Sequence, residues 1–106
     1  MNYDVVALRR ADADVRHVTR WIAGKSLQGA LAWLDAYEDL IVRLSESADN
    51  CAMAAEDAEC SVPLKEALFR TPHGRTHRAV FTIAGHQVRI LRIRGLGQPP
   101  LHDHEL

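Results

Sequence analysis

Residues 77–95 read HRAVFTIAGHQVRILRIRG, and this stretch decides the architecture. Ala79, Phe81 and Ile83 alternate with Arg78, Val80 and Thr82, the period-two pattern of a strand with two unlike faces. Ala84-Gly85 then suits a tight two-residue hairpin turn, and His86 to Arg94 returns as the next strand. With a loop of that length Val88 and Ile90 join the Phe81 face, while Leu91 and Ile93 are expected on the opposite face. Gly95-Leu96-Gly97-Gln98-Pro99-Pro100 cannot extend the ladder, because proline has no N–H to give.

Upstream, Leu64 to Arg70 reads as a third strand, and Thr71-Pro72-His73-Gly74 is turn chemistry. The period differs before that. Val15, Val18 and Ile22 recur at helical spacing after Asp12 and Asp14, either of which can meet the unpaired N–H groups of a first turn. Gly24 and Lys25 suit the end of that helix, and Ser26 the N-cap of another. In the second helix, of about 19 residues, Leu27, Leu31, Leu34, Ile41 and Leu44 form a stripe, broadened by Ala30, Trp33, Tyr37 and Leu40. Tyr3 to Leu8 suits a short opening strand, which must join a sheet edge.

The order is β-α-α-β-β-β. It predicts the α+β class: an antiparallel sheet with a helical hairpin packed on one face. Val18, Ile22, Leu31, Leu34, Ile41, Phe81, Ile83, Val88 and Ile90 are the expected core. Residues 47–63 are too many for an ordinary connection, so they form a loop with a task or the least ordered part of the chain. Residues 1–98 read as a single domain and 99–106 as a flexible tail.

At 106 residues, 47% hydrophobic and 25% charged, the chain has the composition of a globular domain. No apolar run reaches the ~20 residues that span a bilayer. Met1-Asn2-Tyr3-Asp4 lacks the basic and apolar regions of a leader, so the expected location is cytoplasmic, with no membrane partner. Cys51 and Cys60 make no CxxC pair and read as small apolar residues; no metal site or cofactor is predicted.

The net charge of −1 hides a strong asymmetry. Residues 1–64 carry 6 Lys/Arg and 11 Asp/Glu; residues 65–94 carry 7 Lys/Arg and one acid, a net +6. Such a segment points to a polyanion or an acidic protein as partner. Its cations are Lys65, Arg70, Arg75, Arg78, Arg89, Arg92 and Arg94. Strand parity sends Arg78 and Arg89 to the face away from the helices, expected to be open, and sends His77, Arg92 and Arg94 to the helix side. Metal-free RNA cleavage needs a base, an acid and cations beside the phosphorus, and arginine suits the last role through its bidentate fork. His73 and His77 flank a basic turn and could titrate near neutrality. The bland alternative for each arginine is a solvated strand residue that discourages edge pairing. His102 and His104 read as part of the tail rather than as ligands.

The chain resembles the RelE/ParE toxins. Tyr3 with Val5 is similar to the family's opening strand, and DVRHVTRWIAGKSLQGALAW (14–33) to its first helix, "W-I-A" end and second-helix start. LKEALFR (64–70) resembles the family's "L-R-x-L" strand, with Lys65 at the basic position. Residues 77–95 resemble its "Y-R-x-x-F … G … V-x-V-L-x-V-R" hairpin, with Arg78 at the basic position and His77 in place of a tyrosine. The paired long helices are closest to the ParE-like, plasmid-stabilisation subgroup.

The resemblance implies the toxin of a type II toxin–antitoxin system, arresting growth by inhibiting DNA gyrase unless a cognate antitoxin neutralises it. A homodimer and a heterotetramer with the antitoxin are both compatible. The alternatives are a ribosome-dependent mRNA endoribonuclease of RelE type, which would be metal-independent, and a non-toxic binding module. If the chain is a nuclease, Arg78 and Lys65 are the catalytic candidates. Arg70, Arg75, His77, Arg89 and Arg94 are the binding candidates. RelE-type nucleases tend to carry Tyr or His soon after the last strand, where this chain has residues 95–100 without either.

Overall fold

The computed structural model describes residues 2–106; Met1, the first residue of the stretch expected to carry no leader, lies outside them. The chain forms β1 (Asp4–Ala7), α1 (Arg9–Ala23), α2 (Leu27–Ser47), β2 (Ala52–Met53), β3 (Lys65–Phe69), β4 (His77–Ala84) and β5 (Gln87–Gly95), with 3-10 turns at Ala48–Asn50, Asp57–Glu59 and Asp103–Glu105. The strand order is β1-β5-β4-β3-β2. β1 runs parallel to β5 at one edge, as a strand returning after a helical crossover can. The other pairs are antiparallel. The sheet is therefore mixed and has five strands, whereas the sequence predicts an antiparallel sheet and gives no sign of β2.

Both helices pack on one face. Ala11 of α1 and Trp33, Tyr37, Leu40 and Leu44 of α2 share a core with Ala67, Phe69, Ala79, Phe81, Val88, Ile90 and Ile93. Val18, Ile22, Leu34, Ile41 and Ile83 pack against this core, partly buried. Leu31 does not belong to it: Leu31 is 56% exposed and Leu27 69%. Apolar residues cover a wide arc of α2, and the bulky Trp33–Tyr37 side faces the sheet, where Phe69 meets both rings. That choice turns the Leu27–Leu31 edge outward.

The helix starts separate two kinds of signal. Ser26 caps α2 as expected, its Oγ accepting from the Gly29 N–H at 2.9 Å. Neither Asp12 nor Asp14 caps α1, which begins at Arg9 after Leu8. The Leu8 N–H donates to the Ile90 carbonyl and completes the β1 ladder, so the chain passes from strand to helix without a polar cap. The β4–β5 turn is Gly85-His86, one residue later than expected; Gly85 has φ 63°, the left-handed position that a two-residue hairpin gives to glycine.

A bulge in β5 decides where its arginines point. Val80 lies opposite Arg92 and Phe81 opposite Ile90, which leaves Leu91 without a partner. One extra residue reverses the parity beyond it. Ile93, opposite Ala79, joins the helix-side core. Arg92 and Arg94, opposite Val80 and Arg78, move to the far face, contrary to the simple alternation.

That far face is covered. Ala54, Leu64, Val80 and Leu101 form a second cluster, joined by Cys60, Leu91 and Leu106. Residues 54–64 and 99–106 supply the cover. The first segment is held by the Leu64 N–H donating to Asp57 Oδ1 at 2.8 Å. The second, expected as a free tail, lies against the sheet with Leu101 only 2% exposed.

Candidate functional site

The cations of residues 65–94 do not converge. Arg78 faces away from the helices, as parity requires, but it is buried under the cover. Its guanidinium donates to both oxygens of Glu56, Nη1 to Oε1 at 2.9 Å and Nη2 to Oε2 at 2.5 Å, and Glu66 lies 3.7 Å away. The expectation of an open face at Arg78 fails because the acid-rich segment folds back over it. Burial works to raise the Glu56 pKa, but the Arg78 and Leu101 N–H groups outweigh it and hold the carboxyl at about 2. The same pairing pushes the Arg78 pKa up, so this arginine stays charged and committed.

Lys65 lies on the other side of the sheet. It pairs in register with Phe81, whereas Arg78 pairs with Leu68, so the two cations leave opposite faces. Lys65 Nζ donates to the carbonyls of Cys51 (2.9 Å) and Asp49 (3.3 Å), tying β3 to the end of the α2 region. Arg89 is exposed on the far face and donates to Gln87 Oε1. Arg94 donates to the Pro99 carbonyl, while its Nε is buried with no acceptor among the described residues. Arg70 is exposed and lines a shallow hollow with Arg43, Leu68 and Thr76.

Arg75 and His77 do meet, with His73, along one open groove. This groove of about 1050 Å³ runs between the α1–α2 tip and the loops 71–76 and 95–98. Val18, Trp21, Ile22 and Trp33 form its apolar side, and His17, His73, Arg75 and His77 its polar side. Among the described residues no Asp or Glu lines it. Trp21 and Leu96 at its rim are 54% and 56% exposed.

The arrangement of elements has a counterpart among solved structures. A chain of the structure described as "Chromosomal ParDE TA system from P. aeruginosa" superposes with a TM-score of 0.66 over 88% of this chain and 95% of that one, at 17% sequence identity. The fold is RelE/ParE-like. No family model matches the sequence, and no curated protein does.

On this RelE/ParE-like scaffold the groove holds one chemically distinctive group. Trp33 Nε1 donates to His77 Nδ1 at 3.4 Å, and the Arg75 carbonyl lies 3.3 Å from the same nitrogen. Indole nitrogen only donates, so Nδ1 accepts from Trp33 in the neutral tautomer protonated at Nε2 and donates to the Arg75 carbonyl in any form protonated at Nδ1. Burial is the largest influence and lowers the His77 pKa, which favours the neutral ring. Phe69, Trp33 and His77 pack edge and tilt around one another and fix the ring.

Three residues that matter here carried no recognisable signal. Glu56 sits among alanines and acids without periodicity, and its role appears only once the segment folds back. Asp14 reads as a helix-start residue. Instead it accepts from Arg92 Nε (2.8 Å), Arg92 Nη2 (3.0 Å) and the Ile93 N–H (2.9 Å), finishing the β5 edge where β1 ends. Trp33 reads as core packing and is that, but it also orients His77.

Proposed function

We propose that this protein is the toxin of a type II toxin–antitoxin pair and that it arrests growth by inhibiting DNA gyrase, in the cytoplasm, until a cognate antitoxin neutralises it. The observation that carries the reading is the likeness to a ParDE system chain across nearly the whole length of both proteins. Among the described residues no helix is long and apolar enough to cross a membrane.

The placement of the cations favours gyrase inhibition over RNA cleavage. Arg78 is tied to Glu56, and Lys65 emerges on the other face. A phosphate between β-strands cannot meet both. The stretch 95–100 also supplies no Tyr or His beside the end of β5.

The antitoxin's seat in this reading is the groove at the hairpin tip. The far face, the other candidate surface, is already covered. The groove offers exposed Trp21 and Leu96 as apolar contacts, cationic Arg75, and, among the described residues, no acid to repel an acidic segment. Leu27 and Leu31, one turn apart on α2 and largely exposed, lengthen the apolar surface.

Induced expression of the chain alone tests the reading. Growth arrest with a DNA-damage response, intact mRNA and loss of supercoiling by purified gyrase is the expected result. Arrest with codon-phased mRNA cuts and normal supercoiling would replace it with the nuclease, and absence of arrest with the binding module.

A further inference from the structure

We propose that the groove at the hairpin tip takes up a proton as it binds its partner: a carboxylate of an acidic, partly apolar segment seats against Arg75 and His77, His77 becomes charged on docking, and binding tightens as the pH falls. This rests on the reading of that groove as the seat of an acidic partner, and adds how its occupancy is controlled.

The empty groove gives a charged His77 no counter-charge. Among the described residues, the titratable groups that share it are Arg75 and His73 from the loop before β4 and His17 from α1. The half-buried ring packs on Trp33 of α2 and Phe69 of β3 and lies opposite Gly95 of β5. Tyr37, stacked on Trp33, keeps its proton, its pKa pushed up to about 12 by burial and then by Asp12. Arg75 is exposed and forms no ion pair among the described residues. Burial disfavours charge on His77; the hydrogen bond to the Arg75 carbonyl offsets part of this, and the Arg75 guanidinium adds to it.

Protonation also redirects the ring's hydrogen bonds. In the imidazolium both nitrogens donate. Nδ1–H then serves the Arg75 carbonyl, 3.3 Å away, and the Trp33 Nε1–H loses its acceptor. Nε2 makes no hydrogen bond among the described residues and is left as a donor for a carboxylate, with the Arg75 fork as a second. A carboxylate docked there supplies the missing opposite charge and favours the charged ring. His77 then holds its proton more firmly in the complex than in the free chain, so binding takes up a proton and strengthens as the pH falls through that interval. Val18, Trp21, Ile22 and Trp33 form the other side of the groove, which selects a segment with leucine-like residues beside its acids over a bare anion.

The test titrates the full chain with an acetylated, amidated peptide of about 16 residues, with leucines at helical spacing and glutamates beside them, and with its Glu→Gln counterpart. Calorimetry at about pH 8 and about pH 6, in buffers of unlike ionisation enthalpy, reads affinity and protons together. The glutamate peptide should bind about 10-fold more tightly at the lower pH, with net proton uptake, and the glutamine peptide should change less than about 2-fold. His77→Asn keeps an oxygen that can accept from Trp33 but takes no charge, and it should lose most of the pH response. His86→Asn, beyond the other end of β4, should keep it. A full response in His77→Asn, or tighter binding at the higher pH, would overturn the proposal. Trp21→Ala separates that failure from failure of the seat. Parent-like affinity in Trp21→Ala, or no binding by the parent, would overturn the groove as seat and the proposal with it; weakened binding in Trp21→Ala with no pH response in the parent would overturn proton uptake alone. Should His77→Asn fail to melt cooperatively, an NMR titration of the parent decides. The His77 ring should titrate at a higher pH with the glutamate peptide bound, and an equal or lower midpoint would reject the proposal.

Discussion

Glu56 and Arg78 face each other on the far side of the sheet through two parallel contacts of 2.9 and 2.5 Å, with side chains 0% and 6% exposed. The pair joins β4 to the segment before β3, and the Leu101 N–H adds the C-terminal segment to the same carboxylate. One acid thus pins three stretches of chain, and its removal or that of its partner is not a surface event.

Arg78→Ala should cost about 3–5 kcal/mol of stability, because it leaves a buried carboxylate with one N–H in place of three. An exposed strand arginine would cost only about 0.5 kcal/mol. Urea unfolding separates the two, and a loss below about 1 kcal/mol would show that the pair does not hold the cover. Replacing both partners with leucine and methionine should recover most of the loss.

The same pair sets an acid limit. The Glu56 pKa falls from its ordinary 4.5 to about 2 on folding. A lowered carboxyl pKa means stability that is complete above the ordinary value and lost as pH falls toward the folded one. About 3 kcal/mol should therefore disappear between pH 4.5 and 2, and Glu56→Gln should flatten that slope. His77 acts in the same direction in a higher window. Its lowered pKa makes protonation unfavourable in the folded chain, so stability should already begin to fall as pH drops below about 6.5. Denaturation midpoints against pH check both, and a profile unchanged by Glu56→Gln would refute the first.

Asp14 offers a sharper contrast with its neighbour Asp12. Asp14→Ala removes the acceptor of two Arg92 N–H groups and of the half-buried Ile93 N–H, and should cost about 2 kcal/mol. Asp12 is exposed in the first turn of α1, and Asp12→Ala should stay within about 0.5 kcal/mol. Equal effects would mean that both act only through the helix terminus.

The periodicities of residues 77–95 and 27–44 are enough to read the class, the helical hairpin, its side of the sheet and the Phe81, Val88 and Ile90 part of the core, whereas Val18, Ile22, Leu34, Ile41 and Ile83 only flank that core and Leu31 is exposed. They could not reveal the Leu91 bulge, because Leu-Arg-Ile-Arg alternates equally well in either parity. Register alone moves Arg92 and Arg94 to the far face. β2 was illegible for another reason: two residues carry no period, and their pairing depends on where residues 48–64 fold. Arg75 and His77 could be named as candidates from the basic turn. That Arg78 would be closed off needed Glu56, twenty-two residues away in a stretch whose composition favours no structure.

The groove makes the last prediction. In the toxin reading an antitoxin segment lies between the α1–α2 tip and the loops 71–76 and 95–98, where, among the described residues, Trp21 is the largest exposed apolar side chain and Arg75 the one arginine. Buried aromatic anchors dominate such interfaces, whereas rim cations govern encounter and salt response. Trp21→Ala should weaken antitoxin binding by at least ~30-fold, equivalent to about 2 kcal/mol. Arg75→Ala should weaken it less and reduce its dependence on salt. Both side chains are exposed, so thermal stability should barely move. Met53→Ala, on the strand at the sheet edge opposite β1, should bind as the parent does. Calorimetric titration of the purified pair at two salt concentrations measures all three. Parent-like affinity in Trp21→Ala together with a large loss in Met53→Ala would move the antitoxin from the hairpin tip to the β2 edge.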